Sequence, residues 1–278
     1  MKWIRNLILV LATATCASGQ DGCLKMPPQI AFWKVGNQPE VVVVLHGGPG
    51  AQHQYLRPEF DGLSKSATLI YYDQRGCGQS DRAETYTWQN HVADLRRLIR
   101  TLAPKKKVFL AGSSWGSLLA ILYAYTYANQ VKGLLLTGTV PWPGQSKTYI
   151  REAEFVHYKP HNQQIHEKGI FSRTSTDEKD IQDTLDIVKL FQAQSGITLN
   201  EPVDSMKSAP GPDSLSLMKV PVLIFNGPAS KLFDWTQNYM KLWPNAELHT
   251  FPAAGHDPWL SDPERFADDC NNFISKYR

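Results

Sequence analysis

A serine held between glycines on a sharp turn can attack a carbonyl, and Gly112-Ser113-Ser114-Trp115-Gly116 places Ser114 in that position. The G-x-S-x-G pattern is weak by itself. Here an apolar run, Val108 to Ala111, precedes it and an apolar stretch, Leu118 to Ala128, follows. That strand–turn–helix context lifts the serine hydroxyl above the edge of a sheet. Attack on a carbonyl creates an oxyanion, which two backbone N–H groups must be ready to receive. One is expected from Trp115, the residue after the nucleophile. The other is expected from the loop His46-Gly47-Gly48-Pro49-Gly50, where glycines let the backbone approach closely. Gly48 is the first choice for this donor and Gly47 the second.

The serine needs a general base. Where a serine occupies such an elbow, the acid and then the histidine follow it along the chain. Of the eight histidines, only His249 and His256 lie beyond the penultimate expected strand. His256, in Ala254-Gly255-His256-Asp257-Pro258-Trp259, sits in a loop between the last strand and the last helix, where the base belongs. His249 falls within a strand and reads as structural. The acid should orient the imidazole and stabilise its charged form. Its expected position, three residues past Gly227, holds Ser230. The nearest carboxylate is Asp234, which also fits a helix-capping role through Asp234-Trp235-Thr236-Gln237. Both roles stay open. Asp257 adjoins His256, and adjacent side chains seldom face each other in a triad.

The elements that must position these residues alternate between apolar β-rich runs and helical patterns. This is the mark of an α/β domain with a mostly parallel central sheet and helices on both faces. Val41 to Leu45, Thr68 to Tyr72, Val108 to Ala111, Leu134 to Leu136, Val220 to Phe225 and Glu247 to Phe251 read as strands, with Ala31 to Val35 an antiparallel edge strand. Thr87 can cap a helix carrying Val92, Leu95, Ile99 and Leu102. Further helices are expected over Asp234 to Leu242 and Pro263 to Tyr277. The polar stretch 141–215 breaks the rhythm and reads as an inserted helical lid. The core is thereby divided into a first part, 20–140, and a second, 216–278.

The chain has 278 residues, enough for one sizeable domain with an insertion. With 42% apolar residues and a net charge of +3, it has neither the composition of a disordered chain nor the charge of a nucleic-acid binder. Lys2 and Arg5, the apolar Leu7 to Ala12 and the small residues after them read as a signal peptide over 1–19, with cleavage after Ala14 as the alternative to cleavage after Gly19. The expected location is therefore secreted or cell-envelope, periplasmic or extracellular. The apolar run is too short for a stable membrane span. A lipid anchor at Cys16 fits less well, because Thr13 and Thr15 stand where such a signal wants a large apolar and a small residue. Cleavage after residue 19 would leave Cys23, Cys77 and Cys270, which allows one disulfide and one free thiol. No metal-ligand spacing or phosphate loop occurs, so no cofactor is expected. The oligomeric state is not legible.

Three motifs give the chain its resemblance to a known family. They are His46-Gly47-Gly48-Pro49-Gly50, Asp73-Gln74-Arg75-Gly76-Cys77-Gly78-Gln79-Ser80 and Gly112-Ser113-Ser114-Trp115-Gly116-Ser117. Together they resemble the proline iminopeptidases (prolyl aminopeptidases) of the α/β-hydrolase fold and their close tripeptide- and dipeptide-releasing relatives. The likeness is good over 41–140, adequate over 220–275, and fades across the lid, which is shorter than the family's usual one. It implies release of an N-terminal residue, often proline, from short peptides. Ser114 would form the acyl-enzyme, Gly48 and Trp115 would hold the oxyanion, and glutamates in or near the lid would bind the free amine. Glu152, Glu154, Glu167 and Glu178 are available there, with no motif that assigns the role to one of them. Asp73 and Arg75 are expected to brace the loop beside the site. Two other readings stand beside the aminopeptidase: an esterase or other small-molecule hydrolase, and a binding protein that lacks the usual acid.

Overall fold

The computed structural model describes residues 21–140, 202, 205–228, 233–243, 245–252 and 254–278, with only the backbone at 212 and 233–235. The expected signal peptide, Cys16, Ser230 and the greater part of the expected lid, including its four glutamates, lie outside the described residues.

The strands are β1 (Gly22–Leu24), β2 (Ile30–Val35), β3 (Val41–Leu45), β4 (Thr68–Tyr72), β5 (Val108–Ser113), β6 (Val131–Thr137), β7 (Val222–Asn226) and β8 (Ala246–Thr250). The helices are α1 (Trp88–Leu102), α2 (Trp115–Thr126), α3 (Phe233–Leu242) and α4 (Pro263–Lys276), joined by short 3-10 turns. The strands form one sheet in the order β1-β2-β4-β3-β5-β6-β7-β8. The β1–β2 and β2–β4 pairs are antiparallel and the others parallel. The expected edge strand is β2, and it lies one place in from the edge because β1 pairs outside it. Three residues, Gly-Cys-Leu, carry too little alternation to reveal a strand.

Alternation in the central strands divides the core into two layers. Val41, Val43 and Leu45 of β3 pack with Leu95 and Leu98 of α1, Leu119 and Leu122 of α2, and Trp243. Val42 and Val44 pack on the other face with Phe60, Trp259, Phe266 and Phe273. Both faces of β3 are thus covered, which is why its sequence is an unbroken β-branched run. Burying side chains of this size contributes about 1.5–3 kcal/mol each. Thr87 caps α1, its hydroxyl oxygen accepting the Asn90 N–H at 3.3 Å. Asp262 caps α4 by accepting the Arg265 N–H at 3.1 Å, and Pro263 opens the helix. Helix α3 starts at Phe233, one residue before the expected cap, so Asp234 stands inside its first turn.

Cys77 and Cys270 are free thiols, and no disulfide forms among the described residues. Cys77 is buried in the turn after β4, and Cys270, on α4, is buried in the second core layer. Burial pushes both thiols above the ordinary range. No helix among the described residues is long and apolar enough to cross a membrane.

Candidate active site

Strand β5 ends at Ser113 and α2 begins at Trp115, leaving Ser114 as the one-residue bend between them. Its backbone has φ 54° and ψ −117°, a conformation that strains a residue with a Cβ by about 1–3 kcal/mol. Its neighbours hold that bend in place. The Ser114 N–H donates to the Thr137 carbonyl at 3.0 Å, and the Ser114 carbonyl accepts the Ser117 and Leu118 N–H groups at 2.9 and 3.2 Å. The Ser117 hydroxyl lies 2.7 Å from the carbonyls of both Gly112 and Thr137, stitching α2 to β5 and β6. The flanking glycines are required by space. A Cβ on Gly112 would stand 2.4 Å from the Gly116 carbonyl oxygen, and one on Gly116 would stand 2.2 Å from that of Leu45.

The loop after β3 folds directly against this bend. A Cβ on Gly47 would lie 3.3 Å from Ser114 Cβ. The Gly47 N–H is already committed, donating to the buried Tyr55 hydroxyl at 2.7 Å. Gly48, at φ 118°, is the next amide in the loop, and Pro49 after it has no N–H. Of the two glycines named as candidate donors, Gly47 thus has its N–H engaged by Tyr55, a residue that carries no motif in the sequence.

His256 lies in the loop after β8, half-buried. Its ring lies against Gly138, the residue after β6. A Cβ on Gly138 would stand 2.9 Å from Cε1 and 3.0 Å from Nε2 of His256. Ser114 and His256 thus both abut the Thr137–Gly138 corner. Among the described residues no hydrogen bond joins the Ser114 hydroxyl to the ring. Burial raises the Asp257 carboxyl above its usual range, against the lowering effect of the His256 charge. The Asp234 side chain lies outside the described residues. Two residues further on, Thr236 is buried, with its hydroxyl 2.8 Å from that of Thr139 and accepting from Asn226 Nδ2. The start of α3 is thereby tied to the carboxyl ends of β6 and β7. His249 is structural, its Nδ1 lying 2.8 Å from Asp269.

The Asp73-Gln74-Arg75 segment follows β4 and is buried. Asp73 accepts the His53 N–H at 3.0 Å and the Gln79 N–H at 2.8 Å, and pairs with His53 Nδ1 at 2.8 Å. Arg75 pairs with Asp94 at 2.8 Å and donates to the Thr85 and Asn90 carbonyls. Both side chains are committed to neighbouring loops and α1, which is the expected bracing role.

Residues 42–269 match the model of the alpha/beta hydrolase family. The chain is 36% identical over 124 residues to a proline iminopeptidase of Thermoplasma volcanium, a stretch covering 43% of this chain and 42% of that one. A proline iminopeptidase of Lactobacillus delbrueckii subsp. bulgaricus is 28% identical over 260 residues, covering 82% of this chain and 87% of that one. The match to a Saccharolobus solfataricus proline iminopeptidase spans 56% of the relative's length, so this relative and that of Thermoplasma volcanium are each matched over less than two thirds. Among solved structures, a thermophilic esterase from Thermogutta terrifontis is similar at TM-score 0.72 and 22% identity, covering 92% of this chain and 99% of that one. A proline iminopeptidase from Mycobacterium smegmatis is similar at TM-score 0.67 and 20% identity, covering 92% and 98%. At these identities the structural likenesses speak to the fold.

Proposed function

The chain belongs to the alpha/beta hydrolase family, and on that premise we propose that it is a serine aminopeptidase releasing N-terminal residues, proline among them, from short peptides. The observation that carries the proposal is the strained Ser114 bend with the Gly47–Gly48 loop laid against it. Similarity to proline iminopeptidases supports the peptide substrate.

In this mechanism the Ser114 hydroxyl attacks the carbonyl of the N-terminal residue and passes its proton to His256. The oxyanion is received by the N–H groups of Gly48 and Trp115. Collapse of the tetrahedral intermediate breaks the C–N bond, and His256 returns the proton to the departing amine. Water, deprotonated by the same histidine, then hydrolyses the acyl-enzyme. Asp234 is the carboxylate proposed to orient His256, since the start of α3 is pinned at the carboxyl end of β7. Loss of a triad acid lowers kcat by about 10⁴ while residual catalysis survives. Asp234→Asn is therefore expected to fall by that order.

The test is hydrolysis of prolyl and alanyl 4-nitroanilides by the wild type and by Ser114→Ala. Turnover that needs both a free α-amine and Ser114 supports the aminopeptidase. Cleavage of short acyl esters with no amide turnover would transfer the same site to an esterase, and equal rates in the two proteins would remove Ser114 from the chemistry.

A further inference from the structure

Gln74 is buried, 1% exposed, between the two segments that carry the oxyanion donors, and every polar group of its side chain is used on them. Its Oε1 accepts the Trp115 indole N–H at 2.8 Å. Its Nε2 donates to the His46 carbonyl at 2.7 Å, and its backbone N–H donates to His46 Nε2 at 3.0 Å. That last bond fixes the tautomer: His46 Nε2 is the acceptor, so Nδ1 carries the proton and donates to the Gly47 carbonyl at 2.8 Å. The Gly47–Gly48 peptide is trans, so its C=O and N–H point in opposite directions. Holding the Gly47 carbonyl toward the His46 ring aims the Gly48 N–H away from the ring. On the other side, the Trp115 ring is anchored by Gln74 and by an edge-on contact with His91 at 5.5 Å between ring centroids. This fixes the first residue of α2, whose N–H is the second donor.

We propose that Gln74 is a positioning residue that sets the separation of the two oxyanion donors, acting on Gly48 through His46 and on Trp115 through its indole. The inference rests on the hydrolase reading above. A donor misplaced by about 1 Å costs on the order of 10²-fold in rate, and loss of one donor costs 10²–10³-fold. Burial keeps the His46 imidazole neutral by lowering its pKa to about 4, so the acceptor at Nε2 persists through the neutral range.

The experiment uses the full-length protein with Gln74→Met, which keeps length and the backbone N–H to His46 but removes the two side-chain contacts, to the His46 carbonyl and the Trp115 indole, and Trp115→Phe, which removes only the indole donor. Thermal melting first establishes that each is folded. Should Gln74→Met not fold, Trp115→Phe alone decides. The readouts are kcat and KM on a prolyl anilide and inhibition by a prolyl trifluoromethyl ketone, whose adduct places an oxyanion in the hole. The expected result is a kcat lowered roughly 10- to 100-fold with KM within about two-fold. Ketone affinity should fall in step with kcat/KM, and the double variant should be no worse than the weaker single. Unchanged kcat in folded variants, or equal losses in binding of ketone and of the product proline, would overturn the positioning role while leaving the hydrolase reading intact. A wild type with no turnover on amides or esters would overturn both.

Discussion

The His256 ring occupies the space that a side chain on Gly138 would need: a Cβ there would stand 3.0 Å from the ring Nε2 and 2.6 Å from the His256 carbonyl oxygen. Gly138 also holds φ 52°, which a side chain disfavours. Gly138→Ala should push the ring away from the corner it shares with Ser114. We expect kcat to fall at least about 10-fold, in line with the cost of a misplaced catalytic group. Stability should fall by about 1 kcal/mol from the backbone alone. Steady-state kinetics beside urea unfolding separate the two effects. Unaltered kcat would mean that the ring does not depend on this contact.

The elbow glycines make a second, steric prediction. A Cβ on Gly116 meets the Leu45 carbonyl oxygen at 2.2 Å, whereas nothing lies within 4 Å of one on Gly211. Gly116→Ala must move β3 against α2, an overpacking of about 1–3 kcal/mol or more. Gly211→Ala should lie within about 0.5 kcal/mol of the wild type. Differential scanning calorimetry checks the pair, and similar melting temperatures in both would contradict the packing described.

Acid should weaken the fold through two buried neutral histidines. Burial lowers His46 to about 4 and His91 to about 3 from the ordinary 6.5. From pH 6.5 down to about 4 the unfolded chain binds these protons and the native state does not, so stability declines as pH falls across that window. Asp94, raised above its usual range by burial despite its bond to Arg75, works in the opposite direction just above the ordinary carboxylate pKa. The histidines should dominate from pH 6.5 to 5. Urea midpoints over this range should drop with falling pH, and less steeply in His91→Phe. An identical slope in that variant would show that His91 binds its proton equally in the native and unfolded states, contradicting the burial effect.

The buried Arg75–Asp94 pair, 2.8 Å apart, should behave asymmetrically. Removing one partner strands a buried charge, so Asp94→Ala is expected to cost about 3–5 kcal/mol. Its effect on KM should be small, because Arg75 is spent on the Thr85 and Asn90 carbonyls. Chemical denaturation and kinetics on the same preparation measure both.

The parts that were legible in the sequence share a physical cause. Strands β3 and β4 match their expected limits because both of their faces are buried and the run of apolar residues ends where the sheet ends. Ser114 was readable because its elbow imposes glycine on both sides. Strand β1 was hidden by its length, and the full extent of β6 by Lys132 and Gly133 near its start. Gln74 stands inside the Asp73 to Ser80 motif, yet its partners lie 28 and 41 residues away in the chain, and no local pattern announces such contacts. Tyr55 and Gly138 act by contact alone, one occupying the Gly47 N–H and the other making room for His256.

The central claim is that Ser114 is the nucleophile, and a fluorophosphonate probe tests it without assuming a substrate. The wild-type protein should take up one label, mapped by mass spectrometry to the peptide holding Ser114. Ser114→Ala should take up none, and labelling should slow in Gln74→Met and Gly138→Ala. A folded wild type that stays unlabelled, or equal labelling of Ser114→Ala at another residue, would contradict the account.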